Sequence, residues 1–165
     1  MRRYISYFKY VVKHKWFVLK AVDKVGFSFH LLYRCLVHDM SKFYPSEFIP
    51  YANTFYNKDG SKRYKETIKF NQAWNAHQKL NKHHHQYWLL KMDSGDTVPL
   101  PMPEIYIHEM LCDWLGAGRA INGEYDFDFN WYKNNKDKIV LHERTRKQLE
   151  ARVFFIKYSS WFKPN

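Results

Sequence analysis

At 165 residues the chain can bury one substantial core, and 45% hydrophobic with 19% aromatic residues is too rich in packing anchors for a disordered segment. A formal net charge of +11 points to anionic partners such as nucleotides, nucleic acid or a phosphate-bearing metabolite. The lysines are dispersed instead of forming a block, which favours a phosphate-lined pocket over an extended DNA contact, and no uncharged apolar run of about 18 residues exists to cross a membrane.

The N-terminal pair Arg2-Arg3 imitates the start of a signal peptide, but Lys9, Lys13, His14 and Lys15 break any apolar core behind it. The expectation is a cytoplasmic protein, in the host cytoplasm if phage-encoded, with no membrane partner and an oligomeric state left open. Cys35 and Cys112 fall beside Leu36 and Leu111 inside helical patterns, and read as small buried hydrophobes in a reducing compartment.

Residues 4–25 form one amphipathic pattern: Phe8, Val11, Val12, Val18, Leu19, Val22 and Val25 recur at helical spacing, and Gly26 stands where a helix would stop. A second helix starts after an N-cap at Ser28 and carries Leu31, Leu32, Cys35 and Leu36 to His38-Asp39. Pro45 and Ser46 open a third, over 46–56, anchored by Phe48, Ile49 and Tyr51. The polar stretch 57–62 contains Asp-Gly and predicts a mobile loop, after which a helix covers 64–80. Then come a short helix over 84–92, an extended connection through Pro99, Pro101 and Pro103, and a helix over 103–116 closed by Gly116 and Gly118. Helices near 127–137 and 143–157 complete the chain. No strand-like alternation of useful length appears, so the expectation is a single all-α domain over 1–165, a bundle of about seven helices.

The informative residues are ionisable ones on stripes that should face the core. His14 shares a face with Val11, Val18 and Val25; His38 with Leu31 and Cys35; Asp39 with Leu32, Cys35 and Leu36. His77 sits with Phe70, Ala73 and Trp74, and Asp113 lies between Met110 and Trp114. Singly, each reads as a satisfied core histidine or an ion-paired carboxylate. Together, two carboxylates and three imidazoles aimed inward from four helices point to a neutralising metal cation. Close by, the run His83-His84-His85 sits where one helix ends, and a bend there can turn His83 or His84 toward His77 as nitrogen ligands for a second ion.

The ordered set His14, His38-Asp39 and Asp113 resembles the HD phosphohydrolase superfamily, whose pattern is a helix histidine, an adjacent His-Asp pair and a distant aspartate. The segment His38-Asp-Met-Ser-Lys42 is similar to the variant in which a lysine approaches the substrate phosphate. The strings HKWFVLKA, HDMSKFYPSEFIPYA, AWNAHQKLNKHHHQYW, EMLCDWLGAGRA and WYKNNKDKIVLHERTR also resemble a group of small phage and bacterial proteins of unknown function. The resemblance implies an HD-type helical bundle that hydrolyses a nucleotide or related phosphoester.

In the mechanism so implied, His14, His38, Asp39 and Asp113 hold one divalent ion, His77 with His83 or His84 holds another, and Asp39 bridges them. The ions would be Mn, Zn, Mg, Fe or Co, and water activated by them attacks phosphorus. Lys42 holds a phosphoryl oxygen, while Glu47 acts as acid/base or supports a ligand histidine. Asn81, Arg119, Lys133 and Lys136 are candidate substrate contacts, Arg119 because it follows the small residues Gly116, Ala117 and Gly118. Tyr87, Trp88 and Trp131 either stack on a base or belong to the core. Two other functions fit the sequence: a di-iron oxygenase on the same scaffold, and a non-enzymatic phage protein that binds nucleic acid through its positive charge.

Overall fold

A computed structural model describes residues 1–161; the last four positions of the expected domain, 162–165, lie outside the described residues. Its α-helices are α1 (Arg2–Val25), α2 (Phe29–Val37), α3 (Pro45–Phe55), α4 (Ile68–Leu80), α5 (Glu104–Asn122), α6 (Asn130–Asn135) and α7 (Glu143–Trp161). The fold is all-α apart from a hairpin of β1 (Leu89–Lys91) and β2 (Thr97–Pro99).

Local chemistry explains most boundaries. The Ser28 hydroxyl accepts from Leu31 N at 3.0 Å and starts α2; Thr67 accepts from Phe70 N at 3.1 Å and starts α4, four residues later than the pattern suggested. The residues before Thr67 are instead held extended along α3, with Lys65 N donating to Thr54 O at 3.1 Å. The helix expected over 84–92 is not formed. A 3₁₀ turn, His85–Trp88, leads into β1, and the 93–96 segment closes the hairpin, with Gly95 at φ 94. Nor do Gly116 and Gly118 end α5: Gly123, at φ 91, terminates it one and a half turns later.

Gly116 has another task. A Cβ built there would stand 2.6 Å from the backbone N of Val18, so the absence of a side chain is what lets α1 and α5 touch. Around this contact Val18, Ala21, Val22 and Val25 of α1 pack with Leu31 and Cys35 of α2, Met110, Leu111 and Leu115 of α5, and Leu149 and Ile156 of α7. Both cysteines are buried and free. A second, aromatic cluster joins Tyr7 and Val11 of α1 to Tyr51 and Ala52 of α3 and to Phe70 and Ala73 of α4. Phe8 and Val12, expected on the buried stripe of α1, are about half exposed, and Tyr7 takes the inward place. On that stripe His14 falls between Val11 of one cluster and Val18 of the other. The polar centre therefore sits where the two apolar clusters meet.

This packing predicts opposite outcomes for two neighbouring glycines. Gly116→Ala should destabilise the protein by about 1–3 kcal/mol in urea unfolding, because backbone must move. Gly118→Ala meets nothing closer than Asp126 at 3.9 Å and should be neutral or stabilising by up to about 1 kcal/mol through helix propensity.

Candidate metal centre

His38 and Asp39 are sequence neighbours, yet their side chains converge. On a continuous helix consecutive side chains diverge by about 100°. Here α2 stops at Val37, His38 turns to ψ 132, and Asp39 adopts the left-handed conformation, φ 53 and ψ 28, before the 3₁₀ turn Met40–Phe43. A left-handed non-glycine residue costs roughly 1–2 kcal/mol, least for Asp and Asn. So the inward aim of this pair comes from a break in the helix, not from the helical periodicity that the sequence pattern suggested.

The break buries Asp39 to 1% exposure and gives each carboxylate oxygen its own set of imidazoles. Around Oδ2 stand His38 Nε2 at 3.3 Å and His14 Nε2 at 3.7 Å; both imidazoles also face Asp113 Oδ1, at 3.3 and 3.2 Å. Around Oδ1 stand His77 Nε2 at 3.3 Å and His83 Nε2 at 3.4 Å, with the His84 ring 4.3 Å from that of His83. These form two groups able to hold a metal ion, His14–His38–Asp39–Asp113 and Asp39–His77–His83–His84, with Asp39 in both. All seven residues singled out as ligands in the sequence are brought together.

The donor atoms fit such an ion. Nε2 of His14, His38, His77, His83 and His84 and both oxygens of Asp39 are buried with no well-formed hydrogen bond, a costly condition without a cation. Two donors each about 2.1 Å from one ion at near-tetrahedral angles stand about 3.4 Å apart, the spacing found around both oxygens.

The opposite edges of the rings are held by carboxylates. Glu109 Oε1 lies 3.3 Å from Nδ1 of both His38 and His83, and its Oε2 accepts from Arg34 Nε at 2.9 Å. Glu47 Oε2 accepts from His77 Nδ1 at 2.8 Å. Protonated at Nδ1, these three rings present their Nε2 lone pairs inward. The sequence reading missed Glu109, whose signal was its place one helical turn before Asp113 on the same face of α5. Glu47, 2% exposed, supports a histidine from behind.

Charge inside the centre is strongly coupled. For Asp39, burial alone would raise the pKa, but His38 and the Lys42 ammonium, 2.5 Å from Oδ2, hold it well below the carboxylate range. Burial likewise opposes ionisation of Asp113 and Glu109, yet hydrogen bonds from histidines lower both, Glu109 to about 2. His38 and His77 are desolvated, which lowers their pKa, but the surrounding carboxylates outweigh this and raise both. His83 and His84 are lowered by burial and by neighbouring imidazoles.

Of four expected substrate contacts, one braces the centre and three lie elsewhere. Asn81 donates to His77 O at 2.9 Å and Ser41 Oγ at 3.1 Å, ending α4 and bracing the centre. The Arg119 guanidinium stacks over Phe17 and Tyr125, while Gly118 and Ala117 beside it line a cleft. Lys133 is exposed and pairs with Asp128 at 3.8 Å, and Lys136 is exposed on the 3₁₀ turn Lys136–Lys138; neither lines that cleft. The cleft, about 380 Å³, opens from Asp113 and His84 and is walled by Trp74, Trp114 and Trp131. Tyr87 and Trp88 are not part of it, and Trp88 packs on Tyr106.

A family of unknown function (DUF5662) matches residues 3–153, nearly the whole chain, and the protein belongs to that family. No curated protein and no solved structure matches it.

Asp39→Asn should abolish metal binding at both groups, whereas Asp113→Asn should weaken only the group containing His14; metal titration by calorimetry reads the difference. Glu109→Gln should lower affinity about 10–100-fold. Because His38 and His77 carry raised pKa values, each must release a proton to accept a metal. Occupancy at limiting metal should therefore rise with pH through and above the ordinary imidazole range, and pH-independent binding would exclude imidazole ligation.

Proposed function

We propose that the protein is a metal-dependent phosphohydrolase that cleaves a phosphoester with water, using a pair of divalent ions that share Asp39. The observation that carries this reading is the bridging position of Asp39, each oxygen facing a separate set of buried, unpartnered imidazole nitrogens at the inner end of an open cleft. The donor set of imidazoles and carboxylates suits Mn, Zn, Fe or Co better than Mg, which favours oxygen ligands. Ions bound there would acidify a water and neutralise charge on the phosphoryl oxygens.

The chain's own groups divide the remaining work. Glu47 and Glu109 fix ring orientation and tautomer, so that little reorganisation accompanies the reaction. Lys42, with its side chain 13% exposed, has a pKa raised by Asp39 and Asp113 against the effect of burial, and stays protonated. With Asp39 taken up as a ligand, the Lys42 ammonium that now pairs with its Oδ2 would be available to hold a nonbridging phosphoryl oxygen. The walls of the cleft limit water around the reacting group.

A second reading, oxidation by a di-iron pair, draws on the apolar cleft wall, since such a pocket suits an uncharged substrate equally well. The nucleic-acid-binding alternative gains nothing from the site, because among the described residues no Lys or Arg lines the cleft.

Hydrolysis of bis-p-nitrophenyl phosphate and of p-nitrophenyl phosphate, with Mn, Zn, Co, Fe or Mg added, tests the proposal. Metal-dependent release is expected, with Asp39→Ala inactive and Lys42→Met slower in kcat by about a hundredfold. No turnover with any metal, together with an iron-pair absorption spectrum, would transfer the assignment to oxidation.

A further inference from the structure

The lining of the cleft is at odds with the charge of the chain. The net charge is +11, yet among the described residues the cleft is bordered by Asp113 and Asp126 and by no Lys or Arg. Its walls are aromatic. Trp114 lies against Trp131, ring centroids 5.3 Å apart, and stacks on Tyr132 at 5.5 Å and 23°. Across from them Trp74 stacks on the ligand-set ring of His77 at 5.6 Å and 17° and meets His84 edge-on, so this wall runs directly into the metal centre.

Gln86 and His85 also belong to this lining, but Gln86 Oε1 and His85 Nδ1 are buried away from its open space. A planar ring would stack on the indoles. A polyphosphate would instead meet two carboxylates and no cation. The buried Lys42 serves only a group already at the metal centre.

We infer that this cleft binds an uncharged, planar aromatic ring held by Trp74, Trp114 and Trp131. The substrate accordingly carries a single phosphoryl group at the Asp113–His84 end and no further phosphate. The statement about the phosphoryl group rests on the phosphohydrolase reading; the statement about the ring does not. A nucleobase and a non-nucleotide heterocycle share this chemistry, and the probes separate them.

The test is binding to the full chain after metal removal, read by tryptophan fluorescence, so that hydrolysis plays no part. The probes are adenosine, uridine, quinoline, octyl glucoside and ATP. Saturable quenching by adenosine or uridine is expected for a base site, and by quinoline alone for another heterocycle. ATP should bind no more tightly than adenosine. Trp131→Leu, at a 55% exposed position that the fold tolerates, should weaken ring binding about tenfold. Ring binding in a protein that hydrolyses no phosphoester would uphold the cleft and remove the proposed chemistry. No ring binding, tighter binding of octyl glucoside, or ATP binding more than tenfold tighter than adenosine would overturn the inference, even if phosphoesters are hydrolysed.

Discussion

The structure turns on one carboxylate. Asp39 is removed from water at the junction of two apolar clusters, and an ionised carboxylate there is tolerable only if positive charge or strong donors surround it. Several elements answer that requirement: α1 sends His14, the α2 terminus His38, the 3₁₀ turn Met40–Phe43 Lys42, α4 His77, and the segment beyond α4 His83 and His84. The left-handed backbone at Asp39 is part of the same solution, since it brings the His38 and Asp39 side chains to one point. Lys42 alone reaches a single oxygen, Oδ2. The imidazoles of His77 and His83 converge on Oδ1, which Lys42 does not reach, and a metal would complete that side.

Much of this was legible in the residues. Polar groups at i, i+4 and i+7 of apolar stripes contradict burial unless they meet something, and on α1, α4 and α5 that contradiction located His14, His77 and Asp113. Chain bends were harder. The convergence of His38 with Asp39 depends on where a helix stops, and the hairpin over 89–99 is too short for alternation to announce it. Glu109 escaped notice because a lone glutamate on a helix is ordinarily solvent-exposed; only the fold shows it between two histidines and Arg34. Arg119 stands out for the small residues before it and Lys133 and Lys136 for their spacing of three, but neither pattern shows whether a long cationic side chain reaches into a cleft or lies over aromatic rings and surface acids.

The separation of charge from the cleft bears on what the site can select. A basic surface raises the local concentration of anions around the molecule, but affinity inside the cleft depends on the groups that line it. Aromatic rings form much of the wall and the carboxylates of Asp113 and Asp126 border it, with the positive contribution confined to Lys42 and any bound cations. Selection by ring stacking at one end and by charge at the other gives a site whose two halves can be disabled separately.

The central claim is that Asp39 bridges two metal ions, and anomalous X-ray diffraction from crystals grown with manganese or zinc measures this directly. Two anomalous peaks are expected, one beside Asp39 Oδ2 among His14, His38 and Asp113, the other beside Oδ1 among His77, His83 and His84. A map with no peak at Asp39, or with bound metal only at surface histidines, would contradict the account.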